Sequence, residues 1–488
     1  MRRPLIAVPV LTALALTLIP TASATTPYRG ANTKSVQDDF NGDGYRDLAI
    51  GASGAANGTV TGAGAVVVLY GSATSVGTAR RSVITQASAG IPGTAERGDG
   101  FGSAVASADL DRDGYADLLV GTPQEAVSTR TASGSLTVVW GGPGGLKGGA
   151  DITPPTGFGN GDTYCAFGVN LATGDTNGDG APEVSVASLC EGSSYTGPFT
   201  RAGKPRSSTR LAVPGGVRGV VMGDVNRDGK AERFWLPGSV AGDLRGPVYL
   251  DGFGPTAGVL TRLPHADGHT GQVGDVNGDG FGDLITGIPD DGYLEGQSGA
   301  AHRGGEIQVL HGSARGIATT QRPKVFHQDT AGVPGTAEHT DFFGEALSVA
   351  DINGDRYADV IVGSSSEAVG TLPSAGSVAI LRGSARGLTT VKAVGYTQNT
   401  VGLPGASERY DFFGSTVHLA DLNRDGRAET VVGIPGENAD GCVWIARGTP
   451  SGPAVGGSVN LCGRQVGLTV HSVDAQFGIA MPSGHITS

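Results

Sequence analysis

Asp39-Phe40-Asn41-Gly42-Asp43-Gly44-Tyr45-Arg46-Asp47 is the first of seven closely similar nonapeptides in a chain of 488 residues; the others begin at Asp109, Asp175, Asp224, Asp275, Asp351 and Asp421. Each carries oxygen-bearing side chains at positions 1, 3, 5 and 9. A tight loop turns side chains 1, 3 and 5 inward around a hard cation, position 7 offers its backbone carbonyl, and a carboxylate at 9 binds through both oxygens. Calcium takes six to eight such oxygens at about 2.3–2.6 Å. Glycine at position 6 permits the positive φ that brings the donors together. Metal-free Asx turns also favour Asp, Asn and Gly, but they require no acid at position 9.

The predicted calcium ligands follow loop by loop, with the fourth residue of each set acting through its carbonyl. They are Asp39, Asn41, Asp43, Tyr45 and Asp47; Asp109, Asp111, Asp113, Tyr115 and Asp117; Asp175, Asn177, Asp179, Ala181 and Glu183. The later loops supply Asp224, Asn226, Asp228, Lys230 and Glu232; Asp275, Asn277, Asp279, Phe281 and Asp283; Asp351, Asn353, Asp355, Tyr357 and Asp359; and Asp421, Asn423, Asp425, Arg427 and Glu429. Up to seven Ca2+ ions are expected. Arg356 stands where the other loops have the position-6 glycine. A side chain in a left-handed conformation costs roughly 1–2 kcal/mol, so the Asp351 site is expected to be the weakest or distorted.

Charge follows the same loops. The formal net charge is −12, and 22 of the 46 acids lie in the nonapeptides. The rest of the chain is mildly basic, and an acidic protein is a poor nucleic-acid binder on charge alone. Arg2 and Arg3 precede an apolar run from Leu5 to Ile19, and Ala22-Ser23-Ala24 fits a small-residue cleavage site. This pattern predicts a signal peptide over 1–24 and a secreted mature chain without a transmembrane segment. Four cysteines in an exported chain suggest disulfides. Three pairings are possible; Cys165–Cys190 and Cys442–Cys462 are favoured because each falls within one repeat.

An apolar strand signal follows every loop: DLAIG (47–51), DLLVG (117–121), EVSVA (183–187), ERFWL (232–236), DLITG (283–287), DVIVG (359–363) and ETVVG (429–433). A short segment precedes most loops, and a third recurs at 65–72, 135–142, 306–313, 377–384 and 442–448. A fourth is visible around 82–86 and 324–328, whereas residues 188–222 read as eroded strands. Four short strands per unit and Gly-rich turns predict an all-β, seven-bladed β-propeller whose calcium loops join the first and second strands of the blades.

Phe101-Gly102, Phe167-Gly168, Phe343-Gly344 and Phe413-Gly414 each precede a loop, and linkers such as Gly90-Ile-Pro-Gly-Thr-Ala-Glu96 recur at 332–338 and 402–408. The pattern resembles the FG-GAP repeat, as in the N-terminal β-propeller of integrin α subunits and in exported bacterial FG-GAP proteins. It is strong in repeats 1, 2, 5, 6 and 7, and weak in 3 and 4. Phe477-Gly478 follows the same pattern but stops before any loop, so the C-terminal strand 477–484 is expected to close a single propeller spanning 25–488. The resemblance implies calcium loops on one face and a partner met on the other. Carried onto this chain, that face takes in 52–62, 122–133, 288–303 and 364–376, with Glu125, Tyr293 and Glu295.

The expected function is that of a secreted, calcium-binding adhesion module that acts as a monomer on a protein or glycan partner. No G-x-S-x-G elbow or H-E-x-x-H motif is present. His265 and His269 flank Gly268 on a loop and make a poor zinc pair. The resemblance implies, from several FG-GAP enzymes, that chemistry resides in a separate domain, so the chain is expected not to be an enzyme. The alternative is an extracellular hydrolase or lyase, which needs a polar cluster at the central channel. Arg97-Gly98-Asp99 spells an adhesion tripeptide, but Asp341 and Asp411 hold the same place in other repeats. The shared feature is an acid before Phe-Gly. Trp140, Trp235 and Trp444 read as packing between blades.

Overall fold

A computed structural model describes residues 36–127, 132–161, 164–213, 216–237, 246–252, 259–292, 302–470 and 475–482. The expected signal peptide, Tyr293, Glu295 and the last residues of the closing strand lie outside them. The chain forms an all-β, seven-bladed propeller. The second blade shows the plan: Ala104–Ala108, Asp117–Thr122, Ser135–Val139 and Gly149–Asp151 pair antiparallel in that order. The acidic loop 109–116 joins the first two strands at the Ala108↔Asp117 end, and the connection after Thr122 lies at the other.

The packing explains the strand sequences. Each middle strand is covered on both sides by neighbouring blades, so Asp117–Thr122, Asp359–Ser364 and Glu429–Ile434 are buried along their whole lengths. Strands buried on two faces read as continuous apolar runs, without alternation. The core accordingly lies between blades: Val66 and Val68 of the first pack with Val105, Leu118 and Val120 of the second. Outermost strands such as Arg81–Ile84 face solvent and are polar. Trp235 and Trp444 are fully buried and Trp140 nearly so. Four-stranded order also holds in the third blade, where Gly192–Thr196 and Ser207–Leu211 supply the outer strands that the sequence left eroded. Their serines pair mainly through the backbone ladder, which leaves no hydrophobic signature.

The first sheet contains only Leu48–Ala52, Ala65–Leu69 and Arg81–Ile84 from its own stretch of chain. Its inner edge is filled from the far end of the sequence. Gly51 N–H donates to the Ala480 carbonyl at 2.8 Å, and Gly478 N–H donates to the Gly51 carbonyl at 3.0 Å. Gly102 and Gly121, Gly344 and Gly363, and Gly414 and Gly433 make the same bond in other blades. Residues 477–480 therefore occupy the innermost position of blade 1.

Close approach between blades fixes the glycine near the end of five middle strands. A Cβ on Gly363 would lie 2.0 Å from the Gly414 carbonyl oxygen of the next blade, and the equivalent contact on Gly433 reaches Gly478 at 2.2 Å. Blade 3 has Ala187 and blade 4 Leu236 at this place, and the blades that follow them lack Phe-Gly. The Phe-Gly carbonyl and the glycine facing it are present together or absent together. Two disulfides, Cys165–Cys190 and Cys442–Cys462, each tie parts of a single blade.

Candidate functional site

All seven acidic loops fold on closely similar hydrogen bonds. In the first, Asp39 Oδ1 accepts from Gly42 N–H at 2.7 Å and Oδ2 from Gly44 N–H at 2.8 Å. Asn41 Oδ1 accepts from Asp43 N–H at 2.8 Å, and Asp43 Oδ1 from Tyr45 N–H at 3.1 Å. The side chains at positions 1, 3 and 5 thus curl over the loop backbone. Most of these oxygens hold one amide and keep a lone pair for a further partner. In the second loop, oxygens of Asp109, Asp111 and Asp113 all lie within 4.8 Å of one another. That spread suits a shell of radius about 2.4 Å, within the calcium–oxygen range. The donor set and its spacing fit the ion.

Position 9 has a second task. Asp47 Oδ2 accepts from Phe40 N–H at 2.9 Å and Oδ1 from Gly71 N–H at 2.8 Å, so one carboxylate ties the loop to the third strand's exit. Asp117, Asp283 and Asp359 make the same pair of bonds. Glutamate reaches differently: Glu183 Oε2 takes Thr176 N–H while Oε1 accepts from Asn177 Nδ2, each at 2.8 Å. Glu232 and Glu429 repeat this with Asn226 and Asn423. Burial pushes Asp47 up to about 8, and Glu232 and Glu429 each to about 7, with neighbouring loop carboxylates adding to the shift. A cation among them acts in the opposite sense.

Sequence reasoning missed two features of these loops. Position 4 is left-handed as well as position 6, and Arg112, Arg227 and Arg424 occupy it at φ of 61°, 60° and 59°. Arginines also lean over the loops: Arg80 reaches Asp43 at 3.2 Å, Arg206 reaches Asp179 at 3.1 Å, and Arg201 pairs with both Asp111 and Asp113. The sixth loop keeps its shape despite Arg356, whose φ is 74° and whose N–H still donates to Asp351 Oδ2 at 2.7 Å. Its position-9 Asp359 is paired with buried Arg382 at 2.9 Å. Replacing Arg356 with glycine is expected to raise stability by about 0.5–1 kcal/mol, strain relief being partly offset by unfolded-state entropy. Denaturant unfolding of the R356G variant measures it.

The end of the blades away from these loops is built differently. Gln86 Nε2 donates to Glu125 Oε2 at 2.6 Å, and Asp99 Oδ2 accepts from Glu96 N–H. Burial, with Asp99 and Glu96 nearby, pushes Glu125 up to about 7. Asp99 is only 3% exposed, so the acid of the Arg97-Gly98-Asp99 tripeptide faces inward. Asp341 and Asp411 take the N–H of Glu338 and Glu408 in the same way. On the inner side, a cavity of about 360 Å³ is lined by Asn170, Arg218, His269, Glu345 and Thr416, at or next to the starts of five innermost strands. Burial and Arg218 push His269 down to about 4, so its imidazole is neutral at pH 7. Glu345 is raised by burial and bonds Ser365. His265 belongs to the outer strand Leu260–Asp267 of blade 4 and faces solvent, whereas His269 opens blade 5.

FG-GAP repeats, which are generally calcium-binding motifs, match residues 32–69, 101–139, 268–309 and 343–381. Among curated proteins, the phosphatidylinositol-glycan-specific phospholipase D of Bos taurus is 32% identical over 162 residues, covering 33% of this chain and 19% of that one. Integrin alpha pat-2 of Caenorhabditis briggsae is 27% identical over 228 residues, covering 44% and 16%. Integrin alpha-6 of Gallus gallus is 26% identical over 218 residues, covering 44% and 15%. The chain spans about a fifth or less of the length of these relatives. The likeness to phospholipase D chains, also found for Rattus norvegicus and Homo sapiens, overturns the expectation that the chain is not an enzyme. That expectation rested on missing linear motifs and on chemistry residing in a separate domain in several FG-GAP enzymes, whereas Arg218, His269 and Glu345 converge from three separate segments without such a motif.

Proposed function

The chain is an FG-GAP repeat protein with a seven-bladed propeller resembling the integrin α N-terminal domain, and from that premise we propose that it is a calcium-loaded, secreted recognition module. The 35 residues assigned to the seven loops are the metal ligands in this reading, four side chains and one carbonyl per loop. The observation that carries it is the repeated inward turn of the oxygens at positions 1, 3 and 5. In the same reading residues 1–24 are a signal peptide, 25–488 form one propeller, and 477–484 latch it. No helix among the described residues is long and apolar enough to cross a membrane. The partner is an extracellular protein or glycan, held in this reading on the face assigned to 52–62, 122–133, 288–303 and 364–376.

A second reading of that face, hydrolysis, is favoured by the channel mouth and by the phospholipase D likeness. Arg218 would hold an anionic group such as a phosphodiester, and neutral His269 would accept a proton from the attacking water. Glu345, whose carboxyl is pushed up by burial, would give one to the leaving group. Positioned acid–base groups contribute about 10²–10⁴-fold each. One experiment separates the readings: the calcium-loaded chain is presented with immobilised glycans and glycosyl phosphodiesters, and both retention and product are measured. Retention lost in chelator, without product, supports recognition alone. Product that falls at least a hundredfold in His269→Ala and Glu345→Gln supports hydrolysis. Neither retention nor product from any ligand class would sink both.

A further inference from the structure

We propose that the blade ends opposite the acidic loops carry a second class of hard divalent-cation site, seated at the seams between blades. The best-formed copy consists of Glu96, Asp99 and Glu125, whose carboxylate oxygens lie within 4.8 Å of one another. Glu96 and Asp99 come from the linker entering blade 2, and Glu125 from the connection after that blade's second strand. Asp99 is buried, Glu125 half-buried and Glu96 exposed, so the cluster is roofed by one side chain that opens to solvent.

The independent sign of a missing partner is a glutamine. Gln86 is 6% exposed; its amide nitrogen bonds Glu125, but its carbonyl Oε1 is buried with no hydrogen-bond partner. The amide head is tied to the cluster through that bond, and its oxygen is left as a further acceptor next to the carboxylates. Reversing the amide would not resolve this, because it would set two acceptor oxygens against each other and orphan the nitrogen instead. An unmet buried acceptor is costly, yet the arrangement occurs three times. Gln328 donates to Glu367 at 2.6 Å and Gln398 to Glu437 at 2.5 Å, and each glutamine is buried with Oε1 unpartnered. Asp341 and Asp411 stand where Asp99 does, with Glu338 and Glu408 matching Glu96.

All the donors are carboxylate or amide oxygens, the set that calcium and magnesium prefer to softer metals. The site is separate from the nonapeptide loops and shares no residue with them. Manganese, a hard ion with a usable anomalous signal, is the probe. Crystals of the full chain grown with manganese are expected to show a peak among Glu96, Asp99 and Glu125 in addition to peaks in the loops. Peaks confined to the loops would overturn the proposal while leaving the loop reading intact; peaks on neither face would overturn both. In solution, the E125Q/E367Q/E437Q variant is expected to bind fewer manganese ions per chain than the wild type. Should that variant fail to fold, Glu96→Gln, at an exposed position, is expected to weaken one site at least tenfold. Unchanged stoichiometry in the folded triple variant, or unchanged affinity in E96Q, counts against the sites.

Discussion

Stripped of calcium by excess EGTA, the purified chain is expected to melt ~20 °C or more below its temperature in millimolar calcium. The reasoning begins with charge. Each nonapeptide brings at least three carboxylates together, and three in the second loop lie within 4.8 Å. The position-9 acids Asp47, Asp117, Asp283, Asp359 and Glu429 are buried to within 1% of complete exclusion from solvent. Like charges at such separations oppose closure of the hairpin, and low surrounding polarity enlarges the effect. A bound dication changes repulsion into attraction. At free calcium a hundredfold above Kd, one site adds about 2.7 kcal/mol, and a few such sites match the whole stability of an ordinary domain. Because position 9 also ties each loop to backbone amides, Asp117→Asn separates the two roles: the amide keeps part of the bonding but lowers the charge. A melting temperature unaffected by chelator would refute the calcium reading.

The second large effect belongs to a methyl group. Gly363→Ala is expected to destabilise the protein by about 3–5 kcal/mol, since overpacking against backbone leaves no side chain to yield. The new Cβ would meet the Gly414 carbonyl oxygen at 2.0 Å and Ala346 Cβ at 3.1 Å. Relief requires blades 6 and 7 to part, at the cost of contacts that both share with Trp444 and Phe413. Ala187→Gly is the matched control. That position faces a blade without Phe-Gly, so the change should cost no more than about 1 kcal/mol, the ordinary penalty for glycine in a strand. Equal losses in the two variants by urea unfolding would show that the glycine serves only local conformation.

These two effects mark what was legible in the sequence. The nonapeptides and the apolar strands after them declare themselves because both ligand geometry and two-sided burial dictate residue types at fixed spacing. The pairing of Phe-Gly with the preceding blade's glycine was also visible, in retrospect, at Ala187 and Leu236. The outer strands of blade 3 were not, because Ser193, Ser194, Ser207 and Ser208 satisfy a ladder through main-chain groups that every residue possesses. Nor was the channel mouth. Arg218, His269 and Glu345 lie 51 and 76 residues apart in sequence, the lengths of whole repeats, and only circular arrangement brings them to one opening. The glutamines at 86, 328 and 398 hold one place in the repeat, but nothing in their type announces a buried oxygen.

The bond between Gly51 and Ala480 also sets an order of events in time. A ribosome makes the middle strand of the first blade hundreds of residues before the strand that completes it, so a nascent chain ending before residue 477 has six full blades and one unfinished edge. Protease protection of residues 48–84 should therefore appear only once residues 477–480 have been made, although that region is synthesised first.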